Sequence, residues 1–353
     1  MAGDPKAYPP IGDYAIIGDC RSGALVSRQG SVDWLCLPRF DSPSIFGAIL
    51  DARAGGCFAI APDGPSDVTR GCLGDSAVLE TTFTTASGVL RLTDLMPVAG
   101  EEVKGRQLWP EHELLRKVEC VDGQVTVEVV YDPRPDYGRA APRLTEQGAV
   151  GLVCEHRGRA LALRSDIRLG RTDGARGVRG RVTLRPGERR YLSLFFGAGL
   201  PLVTRPFGEA AERQVEGSRE SWEAWSARSR YRGPYRQAVM RSAITLKLMT
   251  YAPSGAVIAA LTTSLPEKIG GVRNWDYRFC WLRDASLTLR ALLDLGYDVE
   301  GQSFLSWMLH ATRLTWPELQ ILYDVYGESH LPETTLDHLE GYAGSRTGRS
   351  RPC

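Results

Sequence analysis

Residues 78–92 read VLETTFTTASGVLRL. Residues 78–84 form a run rich in β-branched and aromatic side chains, and a second run follows at 89–92, with Ala86-Ser87-Gly88 between the two. A period of two places one set of side chains on one face of a strand, and a short Gly-containing separator closes a β-hairpin. The same grammar recurs on both sides. Runs 114–121 and 125–131 flank Asp122-Gly123, and runs 181–184 and 191–196 flank Pro186-Gly187, so each pair reads as a further hairpin. Nearer the N-terminus, 24–26, Gln29-Gly30 and 31–35 read as another. Many short strands at this spacing predict an antiparallel β-sandwich over residues 1–205.

Past residue 205 the period changes. Residues 207–230 are rich in Glu, Arg, Ala and Trp, and Trp222 and Trp225 stand three apart, on one helical face. This segment, 206–232, reads as a linker helix. Gly233-Pro234 punctuates, and 235–251 reads as a second helix ended by Pro253-Ser254-Gly255. After a loop reaching about Cys280, 284–295 reads as a third helix closed by Gly296, and Asp298 as the cap of a fourth running to about Arg313. The last forty or so residues read as an acidic, aromatic loop. Strands first and helices second mean two differently built parts, with the second over 233–353.

Bulk properties exclude more than they assign. The chain has 353 residues, 43% hydrophobic and 24% charged, with a net charge of +1. Such a balance offers no field for nucleic acid. No apolar run approaches the ~20 residues of a membrane span. The N-terminus lacks the basic and apolar regions of a secretory signal, so a cytoplasmic location is expected. The cysteines, at 20, 36, 57, 72, 120, 154, 280 and 353, include no CxxC pair and read as reduced and mostly buried. His310, His330 and His338 form no zinc pattern, so neither metal nor cofactor is expected.

The densest chemistry lies in GGVRNWDYRFCWLRD, residues 270–284, with four aromatics, three Arg and two Asp. Aromatic faces stack on a pyranose, while Arg and Asp hydrogen-bond its hydroxyls. On composition alone a helix cap at Asp284 and core tryptophans at Trp275 and Trp281 explain the stretch equally well. A resemblance weighs against that plainer reading. NWDYRFCWLRDASLTL resembles the signature of glycoside hydrolase family 15, which includes glucoamylases, glucodextranases and bacterial α,α-trehalases. Residues 11–51 resemble the trehalase-like N-terminal domain of its bacterial members, 255–286 the start of their catalytic domain, and 321–346 a stretch a few helices later.

The resemblance implies a β-sandwich followed by the first helices of an incomplete (α/α)6 barrel, and hydrolysis of α-glucosides such as trehalose or malto- and isomalto-oligosaccharides with inversion. It places substrate binding on Trp281, Arg283 and Asp284, with Tyr277 against the same sugar and Asp276 and Trp275 beside them. The acid and base of the family are two Glu residues in later barrel loops, separated by about 6.5–9.5 Å to admit a water. The family continuation is not matched after Arg346, and only about 120 residues follow Gly233. Twelve helices with loops need more than ~200. The resemblance therefore implies that the Glu pair is absent and the catalytic residues unassigned, and that exposed helix faces favour a homo-oligomer or poor solubility. Asp324, Glu328, Glu333, Asp337, His338 and Glu340 form one acidic stretch, whose commoner reading is a solvated rim. The alternative to an enzyme is a carbohydrate-binding protein without turnover.

Overall fold

The structure, a computed structural model, describes residues 8–106, 109, 111–140, 142–171, 177–197, 205–271, 273–313, 315–332 and 334–345. Among these, two eight-stranded antiparallel sheets form the expected sandwich. One runs in the spatial order Ala15–Gly18, Gly23–Val26, Ser31–Cys36, Cys57–Pro62, Val125–Asp132, Val178–Leu184, Gly170–Arg171, with Ser44–Phe46 also paired to Ser31–Cys36. The other runs Leu144–Glu146, Leu152–His156, Arg159–Ser165, Arg189–Gly197, Glu113–Gly123, Gly88–Leu95, Leu79–Thr85, Asp67–Cys72. Inward side chains of both, among them Val32, Phe58, Ile60, Leu90, Leu92, Val118, Val127 and Leu194, make one continuous core.

The hairpins at 78–92 and 24–35 are present. The other two expected hairpins are not. Glu113–Gly123 pairs with Gly88–Leu95 and Arg189–Gly197, whereas Val125–Asp132 pairs with Cys57–Pro62 and Val178–Leu184 in the opposite sheet. At Asp122-Gly123 the chain therefore steps between sheets. Gly123, at φ 67°, lies opposite Gly88, and a Cβ there would meet the Ser87 carbonyl at 2.2 Å. Pro186-Gly187 makes the return step, with the Gly187 N–H bonded to the Cys120 carbonyl. A tight turn followed by alternation looks the same whether the next strand pairs locally or crosses the core. Burial against the facing sheet decides.

One polar device spans that core. Arg116 and Asp94 are both fully buried, with Nε–Oδ1 at 2.8 Å. The guanidinium also reaches the carbonyls of Gly30 and Phe58 in the facing sheet and lies 4.7 Å from the Phe58 ring centroid.

Five α-helices follow from the described residues: α1 Glu101–Arg106, α2 Glu209–Ser226, α3 Arg236–Leu248, α4 Leu282–Asp294 and α5 Asp298–Arg313. The first half of α2 lies on the sandwich through Ala211 and Val215, against Val78, Leu95, Leu115 and Tyr191. Its second half turns Trp222 and Trp225 onto Met240, Ile244 and Leu248 of α3 and Leu292 of α4. Glu300 of α5 ties these helices together. It accepts from Trp225 Nε1 at 2.7 Å and Arg228 at 3.1 Å and pairs with Lys247 at 3.0 Å. Leu336, Leu339 and Tyr342 return to the sandwich beside Trp34, Ile49 and Leu50. The seven described cysteines are free, five of them buried; Cys353 lies outside the described residues. No described helix is long and apolar enough to cross a membrane.

Candidate sugar-binding site

The stretch 273–284 is more ordered than the loop the sequence suggests. Residues 259–267 run back along it, with Ala259 N–H to Phe279 O, Ala260 N–H to Tyr277 O and Ser264 N–H to Trp275 O. The turn between them is closed by Gly271 N–H to Lys268 O, with Gly270 at φ 77°. Cys280–Trp281 then pairs antiparallel with Leu322–Tyr323, a strand pair absent from the sequence reading. Leu282 N–H bonds Ile321 O, and α4 starts there.

This launch fixes the motif's side chains. Trp281 is the N-cap residue of α4, so Arg283 and Asp284 fall in its first turn rather than at the cap. Asp284 lies three residues past the N-cap, and no side chain caps this helix. A carboxylate here is favoured by the unpaired N–H groups and the helix dipole. Arg283 donates twice to Asp284 Oδ2, at 3.2 and 3.0 Å, and its guanidinium carbon stands 5.8 Å from the centre of the Trp281 ring. The Arg283 side chain is 70% exposed and that of Asp284 33%. Tyr277 and Trp281 are half-buried, with ring centroids 5.6 Å apart. Burial, and then the Glu267 carboxylate, push the Tyr277 phenol up, so it stays a neutral donor and acceptor. Tyr277, Trp281, Arg283 and Asp284 thus form one open ledge of two aromatic faces and an exposed ion pair.

Two expected site residues lie elsewhere. Trp275 is half-buried, its carbonyl engaged by Ser264. Asp276 is fully buried. Its Oδ1 accepts the Arg278 backbone N–H at 3.1 Å and Nε at 2.9 Å, and its Oδ2 accepts Nη2 at 2.6 Å. Arg278, which the sequence reading passed over, is the most heavily bonded side chain of the motif. The only sequence signal for it is an arginine inside an otherwise apolar RFCW run.

The acidic stretch is occupied locally. Glu328 Oε1 accepts the N–H groups of Ser329 and His330, and these bonds hold its carboxyl below the usual range. Glu340 bonds Tyr8 and Arg53. Asp324 Oδ1 closes a turn on Tyr326 and Glu328 N–H. Glu333 lies outside the described residues. A general acid needs a raised pKa, which the Glu328 surroundings oppose. Among the described residues no group of three His, Cys, Asp or Glu side chains gathers as a metal site would require.

Both parts of the chain resemble known proteins. Residues 3–167 match the family model described as "Trehalase-like, N-terminal", and 233–350 that of "Glycosyl hydrolases family 15". The chain is 38% identical over 364 residues to a trehalase of Mycolicibacterium smegmatis, covering 97% of this chain and 54% of that protein. It is 33% identical to a trehalase of Thermoplasma volcanium (98% and 54%) and 35% identical to trehalase 1 of Sulfolobus acidocaldarius (96% and 55%). The chain therefore spans about half the length of the curated relatives it matches. Among solved structures it overlays on a putative kojibiose phosphorylase from human microbiome with a TM-score of 0.44 and 11% identity, covering 89% of this chain and 50% of that one. With both models matched in order along one chain, residues 3–167 carry a trehalase-like N-terminal part and residues 233–350 a region of glycosyl hydrolases family 15.

Proposed function

We propose that this chain recognises the terminal glucosyl unit of an α-glucoside, trehalose foremost, and serves the inverting hydrolysis of its glycosidic bond. The observation that carries the reading is the ledge itself. Two aromatic faces stand beside a charged pair at the start of α4, the mixture that a pyranose requires. Trp281 and Tyr277 would flank the apolar face of the ring, and Arg283 and Asp284 would exchange their mutual contacts for bonds to its hydroxyls. The matched relatives are trehalases, which favours trehalose over malto-oligosaccharides.

A second reading, binding without turnover, is supported by the carboxylates. Glu328 and Glu340 are engaged in local bonds rather than held as an acid and base across an open site. Calorimetry of the 353-residue chain with trehalose and maltotriose, run beside an assay of released glucose and its anomer, separates the two. Hydrolysis giving the inverted anomer supports the first reading, and saturable binding without glucose supports the second. Asp284→Ala should weaken binding by about 1.5–3 kcal/mol, roughly 10- to 150-fold, as expected for a hydrogen bond to a charged group. Unchanged affinity in that variant would remove the ledge from the site.

A further inference from the structure

We propose that Arg278 and Asp276 are positioning residues that clamp the sandwich loop 38–43 to the sugar-binding stretch 273–284, so that the orientation of the ledge is set from the sandwich. This rests on the sugar-binding reading above. Asp276 is fully buried, and Arg278 occupies both carboxylate oxygens.

The other donors of Arg278 point into the sandwich. Its Nη1 reaches Ser42 O at 2.8 Å, Phe40 O at 3.4 Å and Cys36 Sγ at 3.6 Å, and its Nη2 reaches the Tyr137 hydroxyl at 2.7 Å. The guanidinium plane is boxed by the rings of Trp34 and Tyr137, at 5.9 and 5.6 Å. Trp34 adds its own bond across the same boundary, from Nε1 to Leu261 O at 2.6 Å. On the other side, Asp276 O accepts Trp281 Nε1 at 3.3 Å. The indole of the ledge is therefore three bonds from the carbonyls of the sandwich loop: Trp281 to Asp276, Asp276 to Arg278, Arg278 to Ser42. Phe40 follows the anchored loop into the helical core, 6.0 Å from the Tyr251 ring, and Arg39 lies 5.1 Å from the centre of the Tyr326 ring. A cavity of about 280 Å3, lined by Asp41, Asp136, Tyr137, Thr263, Asp276 and Phe279, lies along the seam.

Energetics separate a clamp from ordinary packing. A buried ion pair gains little over apolar side chains of similar volume, because desolvation offsets the attraction. What the pair adds is direction. Five guanidinium donors in a rigid fork fix angles that apolar contacts leave free. Apolar replacement of both partners should preserve the fold and lose the geometry.

The test compares the wild-type chain with the double variant Arg278→Met/Asp276→Leu. Three quantities are read: the thermal midpoint, the affinity for trehalose, and hydrogen exchange by mass spectrometry. The expected result is a near-unchanged midpoint, trehalose affinity weakened about 10- to 100-fold, the scale of a small misplacement in a site, and faster exchange confined to 38–43 and 275–281. Arg278→Lys should not restore affinity, since an ammonium cannot span the carboxylate and both carbonyls. Wild-type affinity in a folded double variant overturns the clamp, as does rescue by lysine. If the wild-type chain binds no trehalose, the sugar reading fails, and exchange alone judges the clamp: acceleration in both segments supports it, and acceleration in one or neither refutes it. Should the double variant not fold, Asp276→Asn, which keeps the shape and removes the charge, is read by the same criteria.

Discussion

Replacing Asp94 by alanine should be among the most damaging single changes in the sandwich. Arg116 would keep two carbonyl partners, Gly30 and Phe58, but lose its only ion-pair partner among the described residues, and its side chain is fully buried. Removing one partner of such a pair is expected to cost about 3–5 kcal/mol. At roughly 2–4 °C per kcal/mol for a domain of this size, the sandwich transition should fall by about 6–20 °C. Glu300 shows why burial of the survivor matters. Its charged donors Lys247 and Arg228 have side chains 22% and 41% exposed and can turn to solvent when Glu300 is removed, leaving chiefly the Trp225 N–H without a partner. Glu300→Ala should therefore cost less, about 1–3 kcal/mol. Urea and thermal unfolding followed by far-ultraviolet circular dichroism measure both. The double variant Asp94→Leu/Arg116→Met should recover most of the loss. A loss below about 1 kcal/mol for Asp94→Ala, or a double variant no better than the single, would show that this pair does not behave as an isolated buried charge couple.

Two buried glutamates should give pH dependences of opposite sign. Burial pushes Glu113 up, only partly offset by Ser193 and Gln214, so its contribution is full below the ordinary Glu pKa and fades as pH rises through the raised value. Burial also acts to raise Glu300, but Lys247 and Trp225 outweigh it and hold the carboxyl low, so its contribution is present above the ordinary value and fades as pH falls through the depressed one. Glu113→Gln should flatten the neutral limb of the stability curve and Glu300→Gln the acid limb; urea midpoints across the range that run parallel to wild type would contradict both. Finally, Leu287, Val299, Leu305, Leu309, Trp316 and Ile321 are exposed in the helical part. Limited proteolysis should cut there before the sandwich, and sedimentation should show concentration-dependent association. A resistant helical fragment, or a monomer at all concentrations, would count against that reading.

Much of this protein could be read locally. The paired runs around the turn at 78–92, the change of period near 205, the Trp222/Trp225 spacing and Gly296 after α4 each carry their meaning within a few residues, because strand pairing across a tight turn, helix faces and caps are short-range geometry. The ledge residues Tyr277, Trp281, Arg283 and Asp284 lie in one short stretch, but its composition left a purely structural role equally open, and the family resemblance singled them out. Local signals misled where two structures share one pattern. Asp122-Gly123 and Pro186-Gly187 look like hairpin turns, yet each carries the chain to the opposite sheet, a choice made by the core between them. The strand pair Cys280–Trp281 with Leu322–Tyr323 was missed because each half is too short to show a period.

The sequence by itself determined the order of strands before helices, with the change near residue 205, and gathered six candidate binding residues into 275–284. Only the tertiary structure decided what orients them. Asp276 read as one more polar residue of a sugar loop and Arg278 was passed over, yet folding turned the Arg278 guanidinium inward onto Ser42, Phe40 and Tyr137, more than 130 residues earlier in the chain. A fully buried guanidinium must find acceptors for all its donors, and which acceptors those are depends on the surfaces that meet around it rather than on its neighbours in sequence.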